Sequence, residues 1–70
     1  MRAVRITHER KQLVQLAVAM LHDYADTRAS EYSDESGAAA GRTVAVALGA
    51  LFDIEGHPDD IIRLRKELGL

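Results

Sequence analysis

The chain contains no cysteine, which excludes disulfide staples and thiolate metal sites. Tryptophan is also absent, and the only aromatic residues are Tyr24, Tyr32 and Phe52. Stacking platforms of the kind that read bases or sugars are therefore not expected. No long hydrophobic run occurs. The longest charge-free apolar stretch, Val44 to Phe52, is fenced by Arg42 and Asp53 and is far shorter than the roughly 20 residues of a membrane span. The start MRAVRIT leads into His8, Glu9, Arg10 and Lys11 rather than an apolar segment. No signal peptide is expected, and the expected compartment is the cytoplasm. Charge of one sign does not dominate either. A net charge of −2 and a pI near 5.8 argue against a chain built wholly to coat nucleic acid.

What is present reads as globular. Apolar residues make up 47% of the 70 residues and charged ones 29%, enough to fold but only into one small domain, spanning 1–70. Residues 2–7 alternate, with Val4 and Ile6 on one side and Ala3, Arg5 and Thr7 on the other. Residues 1–7 are thus expected to form a basic arm or a short strand. Thr7 then suits a helix N-cap, with Glu9 in the first turn facing the positive end of the dipole.

From residue 8 to about residue 30 the period is helical. Leu13, Ala17, Met20 and Tyr24 form one stripe, and Val14, Val18, Leu21 and Ala25 lie beside it. Together with Leu16 they sweep an arc of roughly 200°, about twice what one neighbour needs, so this helix is expected to pack against two partners. The polar stretch SEYSDES holds the turn, with Asp34 or Ser36 as the next N-cap. A second helix is predicted over 37–55, closed by Gly56 as a C-cap. Gly37, Gly41, Ala45 and Gly49 recur in it every fourth residue. Since each glycine costs a helix about 1 kcal/mol relative to alanine, this spacing predicts a groove where another helix approaches closely. A short third helix is predicted over 58–68, opened by His57 and Pro58 with Asp59 and Asp60 in its first turn and ended by Gly69. The expected fold is all-α: three helices that complete a bundle by homodimerisation.

Chemistry-bearing patterns are sparse. His22 and Asp26 have the i, i+4 spacing of half a metal site, but they sit on the polar face of the first helix and no second histidine pair completes them. His57 beside Asp59 and Asp60 reads as a helix cap. Gly37-x-x-x-Gly41 lacks the Gly-Lys-Ser/Thr of a phosphate loop. Neither an enzymatic activity nor a cofactor or metal is expected, because three helices offer little interior for a pocket. Charge is unevenly distributed. Arg2, Arg5, Arg10 and Lys11 oppose only Glu9 near the start, while Asp23, Asp26, Glu31, Asp34 and Glu35 oppose only Arg28 around the first junction. Such asymmetry can orient two copies or steer a partner.

Two functions from different classes follow. The first is an interaction module that self-associates and offers its remaining apolar surface to another protein. Its warrant is the second helix, whose only charge from Gly37 to Phe52 is Arg42. A helix apolar nearly all round belongs in an interior, and a core this small gains from oligomerisation. The expected self-association interface is Gly41, Val44, Ala45, Leu48, Gly49 and Phe52, in a homodimer or higher even oligomer. The alternative is a dimeric DNA-binding regulator. The segment Arg2 to Thr7 resembles the opening of ribbon-helix-helix repressors, whose paired strands enter the major groove. That resemblance covers about six residues and implies base contacts from Ala3, Arg5 and Thr7. The first helix departs from the family in being far longer, and the turn after it is acidic where a phosphate-facing helix start is required. Nucleic acid and membrane are therefore not the expected partners.

Overall fold

The computed structural model describes Thr7 to Leu70, and within that range all regular structure is helical. Helix α1 runs over His8–Tyr32, α2 over Glu35–Phe52 and α3 over Ile61–Leu68, with a 3-10 turn at Pro58–Asp60 opening α3. The expected arm or strand at residues 1–7 lies outside the described residues except for Thr7. Among the described residues, no helix is long and apolar enough to cross a membrane.

Local chemistry sets the helix ends. The Thr7 hydroxyl accepts from the Arg10 amide at 3.3 Å and caps α1. At the far end Ser33 turns left-handed (φ 51°), and the Asp34 amide donates to the Arg28 carbonyl at 2.9 Å. Asp34 then caps α2, accepting from the Gly37 amide at 2.9 Å. Its second oxygen accepts from Arg28 Nε at 3.0 Å, and Arg28 Nη2 lies 2.9 Å from the same oxygen. The Arg28 guanidinium also sits 4.6 Å above the Tyr32 ring, within cation–π range. One aspartate thus starts α2 and clasps it to the end of α1.

The exit from α2 corrects the sequence reading. The helix stops at Phe52 rather than residue 55, and its left-handed cap is Asp53 (φ 54°), not Gly56. Asparagine and aspartate tolerate that conformation better than other non-glycine residues. Gly56 is instead needed for close approach. A Cβ there would lie 2.5 Å from the Gln15 carbonyl and 2.7 Å from the Ala19 amide nitrogen, so only a bare backbone lets the 53–57 loop cross α1. His57 and Pro58 open the 3-10 turn, with His57 Nδ1 accepting from the Asp59 amide at 3.3 Å. Gly69 (φ 72°) ends α3.

α1 does meet two partners. α2 returns antiparallel along the side of α1 that carries Leu21 and Ala25, while α3 packs against the opposite side, where Gln12 donates to Glu67 at 2.8 Å. α2 and α3 do not touch each other. A bundle in which every helix met both others would have two short dimensions. This one measures 37 × 31 × 14 Å and has one. Its radius of gyration, 12.5 Å, exceeds the roughly 11 Å of a compact 70-residue domain. Among the described residues the core is correspondingly thin: Leu16, Val18, Ala19 and Ala25 from α1, Ala38 and Ala45 from α2, and Leu64 from α3, of which only Leu64 is a large side chain wholly buried.

Two outcomes are expected from this architecture. Gly56→Ala forces the loop off α1 and costs about 1–3 kcal/mol; a melting midpoint equal to that of the parent protein would contradict the close crossing. The Gly37 amide, followed by the Arg28 guanidinium, holds the Asp34 carboxyl below its ordinary value of 3.8. A carboxylate held down in the fold stabilises it above the ordinary value, and that contribution is lost as pH falls through the lower folded value. Asp34→Ala therefore lowers the melting midpoint at neutral pH, and thermal melts should show the gap to the parent protein closing below pH 3.8.

Candidate functional site

The sequence-derived interface residues fall into two groups in the structure. Gly41 and Ala45 are buried under α1 of the same chain. A Cβ at Gly41 would sit 3.3 Å from both Ala25 Cβ and Tyr24 Cδ1 and 3.5 Å from the Leu21 carbonyl. The close helix approach expected between two copies is thus made inside one, because the short turn at Ser33 and Asp34 delivers α1 to that face first. Gly49 is likewise used internally: a Cβ there would meet the Ile54 carbonyl at 2.7 Å, where the chain folds back after α2. Val44 is exposed, and Leu48 and Phe52 are half-buried. Of the residues tied to the ribbon-helix-helix resemblance, Ala3 and Arg5 lie outside the described residues, and Thr7 spends its hydroxyl on capping α1.

The polar side of α1 forms a cleft where the 53–57 loop crosses it. About 430 Å³ is lined by Gln15, His22, Glu55, Gly56, His57 and Asp60. Among the described residues, no three His, Cys, Asp or Glu side chains converge to hold a metal ion. His57 Nδ1 is occupied by the Asp59 amide, and Asp26, the i+4 partner of His22, faces Arg42 at 3.3 Å.

The unusual surface is the far side of α2. α1 covers one side of this helix and α3 never reaches it, so Ala39, Ala40, Thr43, Val46, Ala47 and Ala50 all face solvent. None is charged. Arg42, the single charge on the helix between Gly37 and Phe52, reaches back to Asp26 on α1. Even the Thr43 hydroxyl is satisfied within the helix, donating to the Ala39 carbonyl at 2.8 Å. Val46 is 64% exposed. Arg42, Thr43, Val46 and Ala47 line a shallow depression of about 390 Å³. Four residues around one depression make the kind of hole that a side chain of a facing helix fills. A water-exposed helix face normally carries charge; the one charge bordering this face is Arg42, which pairs with Asp26.

The sequence held the signal for this surface, an apolar helix without a polar side, but not its direction. The glycine spacing points to the face that α1 occupies, and the alanines of the opposite face carry no spacing that marks it. No family model matches the chain, and no curated protein or solved structure shows significant similarity to it.

The placement of Gly41 makes a specific prediction. Gly41→Leu overpacks the α1–α2 contact within each chain and costs about 1–3 kcal/mol. Circular dichroism melts should show the lowered midpoint. An unchanged midpoint would mean that α1 does not cover Gly41.

Proposed function

We propose that this chain is a small non-enzymatic, cytoplasmic helical module that assembles with a second copy through the uncovered face of α2. One observation carries this reading: among the described residues α1 is the only helix that packs on α2, and the solvent side of α2 from Ala39 to Ala50 bears no charge apart from Arg42, which is drawn back to Asp26. A face of this composition lies against another apolar surface in stable proteins. A copy of the same face is the simplest complement, since closed two-fold symmetry lets one patch cover itself. Its alanines and Thr43 keep the helix surface low, so that two α2 backbones can come near one another, with Val46 available to fill the depression on the partner. The thin core favours the same outcome, because a chain of this size without disulfide or metal gains its missing burial by association.

Val46→Glu tests the pairing without touching the fold, since Val46 makes its surface on the solvent side. Light scattering coupled to size exclusion should give the parent protein a mass that is an even multiple of the 7.7 kDa chain, and the variant half that mass with unchanged helicity. A parent protein that runs as a monomer at tens of micromolar, or a variant of unaltered mass, would refute the reading.

A further inference from the structure

A second apolar surface lies on α1, away from both the loop crossing and the outer side of α2. Leu13, Met20 and Tyr24 are spaced 7 and 4 residues apart, which places them on one stripe of α1, and they are 43%, 49% and 53% exposed. Tyr24 adjoins Gly41. From Gly41 the i+3, i+7 and i+10 positions of α2 are Val44, Leu48 and Leu51, and Val44 and Leu51 remain 51% and 36% exposed. Because α2 runs antiparallel to α1, the two stripes lie side by side and form one broad apolar face on the hairpin. Between Leu13 and Tyr24 that α1 stripe passes only through Ala17 and Met20 and meets no charge.

We infer that this hairpin face is a second contact between copies of the chain, stacking two α2-paired dimers into a two-layered tetramer; the inference rests on the pairing proposed above. Three observations favour a further copy over other occupants. Helical domains bury their apolar stripes between two layers, whereas this molecule is only 14 Å deep, so it supplies one layer and presents the face that a second would cover. The five exposed side chains leave on the order of 500 Å² of apolar surface pointing one way, at the top of what a monomer carries, and two such faces together bury about 1,000 Å², the threshold of a specific interface. The face is also self-complementary in chemistry, with Met20 near its centre as an adaptable filler.

Sedimentation velocity and light scattering on the full chain decide this, using Met20→Glu and Leu13→Glu on the hairpin face and Val46→Glu on α2. The expected result is a parent protein of four chain masses, reduced to two by any of the three substitutions and to one by Met20→Glu combined with Val46→Glu, with helicity retained. If Met20→Glu loses helicity, Leu13→Glu carries the test. Should the Met20→Glu and Leu13→Glu variants keep the parent mass while Val46→Glu halves it, the hairpin contact is overturned and the α2 pairing stands. Should only the hairpin-face variants lower the mass, the α2 pairing falls and the hairpin contact stands alone. A parent monomer that binds anionic phosphatidylglycerol vesicles, and loses that binding on Met20→Glu, would assign the face to a lipid surface and overturn the inference.

Discussion

Every helix packs on α1, and α2 and α3 do not meet. This single dependence shapes the molecule. A helix of 25 residues offers its flanks to two neighbours, and the neighbours, being on opposite flanks, give each other nothing. Burial is therefore confined to two narrow seams, filled mostly by alanine, glycine and valine, with Leu16 and Leu64 adding bulk. Close approach replaces bulk as the means of excluding water. Glycine at 41 admits α2 against Tyr24 and Ala25, and glycine at 56 admits the returning loop against the α1 backbone.

The same dependence creates the exposed surface. With α1 packed on both flanks and crossed by the 53–57 loop, two apolar surfaces are left uncovered: the outer side of α2 and the hairpin face bearing Met20 and Tyr24. Polar groups have been drawn off these surfaces. Arg42 is held by Asp26, the Thr43 hydroxyl by its own helix, and Arg28 by Asp34 and the Tyr32 ring. The acidic junction between α1 and α2 is partly neutralised for the same reason, since Asp34 is at once a helix cap and half of an ion pair. Polar groups gather instead in the cleft around His22 and His57, where His57 Nδ1 is taken up in capping and, among the described residues, no three metal-binding side chains converge.

Much of the local structure was legible in the residues. Thr7 as a cap, a second cap at Asp34 or Ser36, Pro58 opening a helix and Gly69 closing one are interactions within three or four residues, and such interactions are decided by neighbours along the chain. The existence of three helices and the need of α1 for two partners follow equally from periodicity. Tertiary structure alone decided which surface each apolar stripe meets. A helix whose residues are apolar nearly all round, as α2 is, carries no polar side to say which way it faces. The glycine spacing that pointed to a second copy is occupied by α1, because the turn at Ser33 and Asp34 makes that encounter intramolecular and so nearly free of the entropy of association. Likewise Gly56 looks like a cap from its place after an apolar run. Its actual role depends on Gln15 and Ala19, some 40 residues earlier in the chain, and no pattern in the residues around Gly56 records a contact made at that separation.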